Sequence, residues 1–275
     1  MDYFNYIRII IDNIICKHLS RKISFKNYPS QDIEIMCLVK LQDIGKDYQT
    51  GDNVISPLIN LNLEINDNDR LIIYGKSGSG KTTLLKGLMG LIKPLDGQIN
   101  YHNVLPREIA YLPQQADIDR SFPISVMETV LIGHWKKIGL FRAVTNEMKR
   151  EAEIALEAVG LTGFENRVIE SLSAGQFQRV LFARMLLQDA QIILLDEPFT
   201  AIDAKTTTDL LKVVFRWHTE KRTVIAVLHD MDQVKNNFPE TLLISRKPIA
   251  WGPTNEVLID KNILKARQMV ERWDE

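Results

Sequence analysis

The glycine-rich segment Gly75–Thr82, which reads Gly-Lys-Ser-Gly-Ser-Gly-Lys-Thr, constrains this chain more than any other feature. The run before it, Leu71–Tyr74, is continuously apolar, as in a strand buried on both faces of a parallel sheet. The run after it, Thr82–Met89, has helical spacing. In such a strand–loop–helix unit, glycines let successive main-chain N–H groups point at phosphate oxygens, and the helix presents its positive dipole end to them. The segment therefore predicts a site for the phosphates of ATP.

Two side chains of this loop have expected roles in binding ATP and Mg²⁺. Lys81 supplies a mobile positive charge for the β- and γ-phosphates, and Thr82 supplies a hydroxyl to Mg²⁺. Main-chain N–H groups provide the remaining phosphate contacts. The ATP-binding residues expected here are Gly75, Lys76, Ser77, Gly78, Ser79, Gly80, Lys81, Thr82 and Thr83.

Strand and helix patterns alternate along most of the chain. Two early runs with period two, Cys37–Leu41 and Leu61–Ile65, indicate strands, and residues from about 125 to 170 are helical in character. This alternation predicts an α/β layered core with a helical insertion. The later expected elements are a helix at Ala174–Gln188, a buried strand at Ile192–Leu195, a helix at Lys205–Thr219 and a buried strand at Thr223–Leu228.

The buried strand at Ile192–Leu195 ends in the acidic pair Asp196 and Glu197. A carboxylate at this place can hold Mg²⁺ directly or through water, which is the role expected of Asp196. Glu197 is expected to orient or deprotonate the water that attacks the γ-phosphate. Such a pair is often only a helix-start cap, but the intact phosphate loop favours the catalytic interpretation.

A third element, Leu172–Gln176, precedes the acidic strand and reads Leu-Ser-Ala-Gly-Gln. Ser173 and Gly175 at a helix N-terminus can form a second anion site from main-chain N–H groups. Ser173 and Gln176 also have the spacing of an ordinary capping box. The position of the segment ahead of the acidic strand favours the anion site.

These elements, in this order, resemble the ATP-binding cassette (ABC) ATPases. The similarity extends from about residue 38 to residue 260 and includes Gln114 in Tyr111-Leu-Pro-Gln, Asp203 in Ala-Ile-Asp203 and His229 in Leu-His229-Asp. The resemblance implies a P-loop NTPase core with an antiparallel β subdomain and a helical insertion subdomain. It also implies a head-to-tail homodimer that closes over two ATP molecules, in which the signature of one subunit, Leu172–Gln176, completes the site of the other.

The resemblance implies roles for four further residues. Tyr48 stacks on adenine, although a tyrosine before a glycine turn can also be a surface aromatic. Gln114 senses Mg²⁺ and the γ-phosphate, His229 holds the γ-phosphate and the attacking water, and Asp203 communicates across the dimer. The expected catalytic residues are thus Lys81, Glu197 and His229, and the expected Mg²⁺ ligands are Thr82, Gln114 and Asp196.

A closer resemblance is to the ATPase subunits of bacterial importers for zinc, manganese or iron. It rests on residues 111–125, on Gly133–Trp135 with Gly139–Arg142, and on Pro198–Lys205. It implies an integral membrane permease, whose coupling helix docks at the segment after Gln114, and an extracytoplasmic metal-binding protein. The transported metal does not contact this subunit.

Two features of the docking segment have simpler explanations. Internal packing accounts for Phe122, Val126 and Val130 as well as docking does. His134 stands alone and is not expected to bind metal. The resemblance favours docking for the three apolar residues.

The composition limits which binding partners and which cellular location are expected for the chain. The net charge of −1 gives no reason to expect nucleic acid as a partner. No run approaches the roughly 18–20 apolar residues that span a bilayer. Cys16 and Cys37 lack metal-binding spacing and are expected to be reduced thiols of a cytosolic protein. The expected location is the cytoplasmic face of the membrane, through the permease.

The chain divides into three expected parts. Residues 36–260 form the ATPase domain, with a helical subdomain at about 116–172, and residues 261–275 form a helical tail. Residues 1–35 have no counterpart in the family, and Ile7, Ile10, Ile11, Ile14 and Ile15 have helical spacing. This extension is a packed amphipathic helix, a poorly ordered segment, a membrane-surface helix, or a region upstream of a true start at Met36.

Three alternative functions would each be expected to show different sequence features. A soluble ABC ATPase acting on nucleic acid or ribosomes usually has two cassettes in tandem or a long inserted arm. A regulatory module that holds ATP without turnover would lack Glu197 or His229, and both are present. An exporter ATPase is disfavoured by the segment after Gln114.

Overall fold

The computed structural model describes residues 36–50, 53–139, 143–200 and 202–271. Residues 1–35, for which four interpretations are open, lie outside the described residues, as do Ala201 and residues 140–142. The strands are β1 (Cys37–Thr50), β2 (Asn53–Asn66), β3 (Arg70–Tyr74), β4 (Asp96–Tyr101), β5 (Ile109–Leu112), β6 (Ile192–Asp196), β7 (Thr223–Val227), β8 (Glu240–Ser245) and β9 (Lys247–Pro253). The α-helices are α1 (Lys81–Leu88), α2 (Val126–Leu131), α3 (Trp135–Ile138), α4 (Asn146–Ala158), α5 (Ala174–Leu186), α6 (Ala204–Thr219), α7 (Met231–Asn237), α8 (Thr254–Val257) and α9 (Asp260–Glu271).

A six-stranded sheet with the order β5-β6-β7-β3-β8-β9 forms the centre of the fold. Its first five strands are parallel, and β9 pairs antiparallel with β8. Every residue of β6 and β7 is buried, as expected for central strands of a parallel sheet with both faces covered. The three continuous apolar runs that predicted buried strands are confirmed.

The two faces of this sheet pack against different layers. In β3, Leu71 and Ile73 belong to one apolar cluster and Ile72 to the other, because side chains alternate across a strand. The first cluster includes side chains of α1 and of strands β1 and β2. The second cluster includes α5 and α6, where the rings of Phe182 and Trp217 stack with centroids 5.7 Å apart. The layered α/β architecture follows the sequence prediction.

A separate three-stranded antiparallel sheet has the order β2-β1-β4. Thr50 and Asn53 are paired at the end of the β1–β2 ladder. The antiparallel β subdomain is therefore confirmed. Strand β4 was not evident as an apolar run, because its residues are exposed or only half buried.

The predicted helical insertion contains α2, α3 and α4. A capping box at Ser125 begins α2: the Ser125 hydroxyl accepts from the Glu128 N–H at 3.2 Å, and the Ser125 N–H donates to the Glu128 carboxylate at 2.8 Å. Val126 and Val130 are fully buried, so docking is the wrong interpretation for both, and packing explains them. Phe122 is 65% exposed and still fits a docking role.

His134 is buried in this helical region, and its Nε2 lies 3.0 Å from the Glu151 carboxylate. Among the described residues, no group of three or more His, Cys, Asp or Glu side chains is arranged to hold a metal ion. Within the same ranges, no helix combines the length and apolar character that crossing a bilayer requires.

Candidate active site

Four of the predicted motifs meet at one edge of the six-stranded sheet. The phosphate loop follows β3, the acidic pair ends β6, His229 follows β7, and Gln114 follows β5. The strands β5, β6, β7 and β3 are consecutive neighbours and run parallel, so their carboxyl ends share one edge. Ligands of open α/β sheets bind at this edge. The fold thus assembles residues that are far apart in the chain.

The phosphate loop requires glycine at Gly75 and Gly80 for steric reasons. A Cβ on Gly75 would lie 2.3 Å from the carbonyl oxygen of Ile244, and one on Gly80 would lie 2.1 Å from that of Pro57. Gly80 also has φ of +97°, which L side chains rarely adopt. The main chain at Ile244 and Pro57 therefore packs so closely on the loop that neither glycine can carry a side chain.

Lys81 is anchored inside this loop. Its ammonium donates to the carbonyl oxygens of Gly75 and Lys76, each at 2.9 Å. Burial lowers the pKa of Lys81, while the nearby carboxylates of Glu197 and Asp196 act in the opposite direction. The loop thus holds the Lys81 ammonium close to the acidic side chains of Glu197 and Asp196.

Asp196 is fully buried and only partly hydrogen-bonded. Its Oδ2 accepts from the Thr82 hydroxyl at 2.9 Å and from the Tyr111 hydroxyl at 3.3 Å. Burial raises the pKa of Asp196, and the hydrogen bond from Thr82 lowers it. Its Oδ1 has no hydrogen-bond partner among the described residues. Buried polar atoms are almost always paired, so this oxygen is available to a further ligand.

Glu197 and His229 are brought into direct contact. The His229 Nε2 meets the Glu197 Oε1, and both residues line one cavity with Phe199, Thr200, Leu228, Asp230 and Gln233. Glu197 has φ of +50°, which is uncommon for a residue other than glycine. Its N–H donates to the carbonyl of Val227 on the neighbouring strand at 3.1 Å, and this bond holds the residue at the sheet edge.

The segment Leu172–Gln176 begins α5 and forms a capping box. The Ser173 hydroxyl accepts from the Gln176 N–H at 3.2 Å, and the Gln176 side chain accepts from the Ser173 N–H at 3.0 Å. A Cβ on Gly175 would lie 3.7 Å from the carboxylate of Asp203. Asp203 itself caps α6 by accepting from the Thr206 N–H at 2.8 Å. The fold therefore places Gly175 close to Asp203.

Tyr48 lies on the antiparallel sheet, opposite Ile55 in β2. Its side chain is 39% exposed, and the Lys46 ammonium lies 5.4 Å from the ring centre. A partly exposed ring fits both adenine stacking and a surface aromatic. The adenine role stays a prediction.

Sequence comparison assigns the chain to a family. A sequence model of the family described as ABC transporter matches residues 58–200. The manganese transport system ATP-binding protein MntB of Listeria monocytogenes is 37% identical over 208 residues, which cover 74% of this chain and 87% of that protein. The chain belongs to the ABC transporter family. It is an ATP-binding subunit of that family, and ATP hydrolysis is its reaction.

Further relatives and solved structures agree with this ABC ATPase assignment. The chelated iron transport system membrane protein YfeB of Yersinia pestis is 34% identical and matches 70% of this chain and 67% of its own length. One solved structure is described as an inward-facing conformation of a metal-chelate type ABC transporter. It superposes with a TM-score of 0.73 at 29% identity, over 84% of this chain and 89% of that one. A dimeric ATP-binding cassette with ADP and Pi gives a TM-score of 0.71 at 27% identity, over 79% and 99%.

The structure of this ABC ATPase also adds residues that sequence reasoning did not single out. Tyr111 donates to Asp196, while Gln115, Arg120 and Gln178 make hydrogen bonds around the segment Leu172–Gln176. One signal for Gln178 was available, because it is a polar residue on the apolar face of a helix. It is only 2% exposed, so its amide must find partners inside the protein.

Proposed function

We propose that this chain is the ATP-hydrolysing subunit of an importer for zinc, manganese or iron. The observation that carries the proposal is the 37% identity to a manganese transport ATP-binding protein over most of both chains. The similarity to a chelated iron transport protein, at 34% identity, supports the same class of cargo. The ion itself is chosen by other subunits, because this chain provides the ATPase.

The proposed partners follow from the same class of importer. They are a second copy of this chain, an integral membrane permease and, indirectly, an extracytoplasmic metal-binding protein; nucleic acid is not among them. The exposed Phe122, in the segment after Gln114, supports permease docking there. The chain is then peripheral and lies at the cytoplasmic face of the membrane. Residues 36–260 act as the ATPase domain, with the helical subdomain at about 116–172, residues 261–275 as a tail and 1–35 as an extension.

Mg²⁺ fits the residues that end β6 and begin α1. The buried Asp196 Oδ1, which has no hydrogen-bond partner in the described part of the chain, stands beside the hydroxyl of Thr82. Both are the hard oxygen ligands that Mg²⁺ prefers. With Gln114 as a third contributor, these residues would hold the ion. When bound, Mg²⁺ neutralises charge on the β- and γ-phosphates.

The residues of this chain act on ATP mainly by positioning and by charge. Lys81 exchanges its carbonyl partners in the loop for phosphate oxygens, and main-chain N–H groups of the loop bind the rest. Tyr48 stacks on adenine. Glu197 accepts a proton from the water, whose oxygen attacks the γ-phosphorus while the bond to the bridging β-phosphate oxygen breaks and ADP leaves. His229 holds the Glu197 carboxylate, which it already contacts, and the γ-phosphate.

The second half of each site comes from the partner copy. Ser173 and Gly175, at the N-terminus of α5, present a hydroxyl and a main-chain N–H to the γ-phosphate bound by the other subunit. Asp203, which adjoins Gly175, transmits the state of one site to the other. A monomer then binds ATP but hydrolyses it very slowly.

A cellular test separates metal import from other transport. The gene is deleted in its own organism, and cellular manganese, zinc and iron are measured by mass spectrometry during growth with limiting metal. One metal is expected to fall and to recover with the wild-type gene but not with Glu197→Gln. Unchanged content of all three metals would contradict metal import, while the ATPase assignment would stand.

A further inference from the structure

The main-chain carbonyls on either side of Ser173 both accept hydrogen bonds from one distant segment. Gln115 donates from its side-chain amide to the carbonyl of Ala174 at 2.7 Å. Arg120 donates to the carbonyl of Leu172 and, at 3.1 Å, to that of Ile169. These two donors belong to residues 115–120, directly after Gln114. The segment Leu172–Gln176 is therefore held from outside, on both sides of its serine.

Each of the two donors has a second contact that fixes its side chain. The Gln115 amide also donates to Gln178 Oε1 at 2.9 Å, and the Gln178 amide donates to the carbonyl of Pro198 at 2.7 Å. The guanidinium of Arg120 lies 4.8 Å from the ring centre of Phe177. Because Ala174 and Gln178 are one helical turn apart, both hydrogen bonds of Gln115 are made to the same face of α5.

The two carbonyls control where the neighbouring N–H groups point. A peptide unit is planar and trans, so its N–H is directed opposite to its C=O. The Leu172 carbonyl shares a peptide unit with the Ser173 N–H, which donates to the Gln176 side chain at 3.0 Å, and the Ala174 carbonyl shares one with the Gly175 N–H. The Gly175 N–H belongs to the first turn of α5, where N–H groups have no acceptor within the helix. Holding the Ala174 carbonyl therefore aims this free donor.

We propose that Gln115 and Arg120 are positioning residues, which hold the signature Leu172–Gln176 in the orientation that binds the partner subunit's ATP. This rests on the proposed function, in which Ser173 and Gly175 bind the γ-phosphate of the other copy. Gln115 and Arg120 act through the signature and do not contact the nucleotide of their own subunit. Their loss weakens closure of the dimer and leaves nucleotide binding to the phosphate loop intact.

The test uses the full-length chain carrying Glu197→Gln, in which hydrolysis does not remove ATP. Gln115→Glu keeps the shape but replaces the donor with a carboxylate, and Arg120→Met keeps the packing on Phe177 without any donor. The ATP concentration that half-converts monomer to dimer, measured by light scattering after size exclusion, is expected to rise about tenfold with either change. That is the effect of one or two ordinary hydrogen bonds. Affinity of the monomer for a fluorescent ATP analogue is expected to change less than about twofold.

Two matched controls lie away from the signature. Asn262→Asp removes an amide donor to the carbonyl of Val257, a bond of 3.0 Å, and is matched to Gln115→Glu. Arg222→Lys changes an arginine that donates to the carbonyl of Ala190 at 3.1 Å, and is matched to Arg120 variants. Both controls are expected to dimerise as the Glu197→Gln chain does. Arg120→Lys, which keeps one cationic donor, should recover part of the loss.

The outcomes distinguish the two levels of proposal. Unchanged dimerisation of folded Gln115→Glu and Arg120→Met chains would overturn the positioning role and leave the proposed function in place. Absence of any ATP-dependent dimer from the Glu197→Gln chain itself would overturn the shared site, and the positioning role with it. If Gln115→Glu does not fold, Gln115→Met removes the donor without adding charge, and its dimerisation decides the question.

Discussion

The phosphate loop and the signature segment both have a glycine at the N-terminus of a helix, but the fold uses these glycines differently. In the phosphate loop, Gly80 has positive φ, and a Cβ there would collide with the carbonyl of Pro57 at 2.1 Å. In the signature, a Cβ on Gly175 would lie in ordinary contact, 3.7 Å from Asp203. Gly80 is therefore required, because the loop cannot take this conformation with a side chain at that position. Gly175 leaves a surface open, and the fold of one subunit does not require it.

The two segments also obtain their shape from different sources. Main-chain atoms of Pro57 and Ile244 press on the phosphate loop, and Lys81 bonds to the loop's own carbonyls. Side chains of the segment after Gln114 hold the signature instead. One half of the site is therefore shaped mainly by main-chain contacts, including those from the distant residues Pro57 and Ile244, and the other by side-chain hydrogen bonds. The following variants test this difference.

The largest effect is expected from Glu197→Gln. The amide cannot take a proton from water, so kcat for ATP hydrolysis should fall about a thousandfold, while ATP still binds and a closed dimer accumulates. A phosphate-release assay with a dimerisation measurement checks both. Glu256→Gln, at an exposed glutamate of α8, is the matched control. Normal turnover of Glu197→Gln would refute the role given to Glu197.

Lys81→Ala should act on binding itself. The change removes the only side-chain cation that bonds to the Gly75 and Lys76 carbonyls in the described loop. ATP affinity should drop about a hundredfold, because charge-assisted contacts to phosphate are the strong ones. Titration with a fluorescent ATP analogue measures this, with Lys86→Ala in the same helix as the control. Undiminished affinity would count against the loop as the phosphate site.

Gly80→Ala should destabilise the monomer. The Cβ meets the carbonyl of Pro57, and φ of +97° is strained for alanine, so the free energy of unfolding should fall by about 2–3 kcal/mol. Gly78→Ala is the matched comparison, because φ is +75° but no atom of the described residues lies within 4 Å of the added Cβ. That variant should lose about 1 kcal/mol. Denaturant unfolding distinguishes them, and equal losses would mean that the clash is relieved elsewhere.

Gly175→Ala should lower ATP hydrolysis without destabilising the monomer. Alanine favours a helix over glycine, so monomer stability should stay equal or rise by up to about 1 kcal/mol. In the proposed shared site the added Cβ stands where the partner's phosphate would approach, so kcat should fall about tenfold through weaker closure. Unfolding and hydrolysis are measured on the same preparation. A destabilised monomer with normal kcat would reverse the contrast between the two segments.

The smallest effect is expected at Tyr48. Loss of one stacked base contact in Tyr48→Ala should weaken ATP binding about fivefold, and Tyr48→Phe should bind normally, since the ring alone stacks. The same nucleotide titration serves here. Equal affinity of the alanine, phenylalanine and native chains would identify Tyr48 as a surface aromatic.

The sequence predicted several of the elements whose residues carry a strong pattern, although the buried strand β8 was not among them. Strands β3, β6 and β7 are continuous apolar runs, and the structure has them within one or two residues of the expected positions. Strands β4 and β9 escaped prediction, because their side chains are largely exposed or half buried and show no apolar run. The docking interpretation of Val126 and Val130 was wrong, because apolar helical spacing does not reveal which neighbour covers a face.

The sequence by itself determined the chemistry of the site: a phosphate loop, an acidic pair and a histidine, each following a strand. Glycine, lysine and carboxylate differ in the chemical groups they offer, and these groups can be identified from the sequence alone. Only the tertiary structure decided that Tyr111 shares Asp196 with Thr82, and that Gln115 and Arg120 flank Ser173. Those contacts join residues dozens of positions apart. Their pairing depends on strand order and helix packing, which no local pattern encodes.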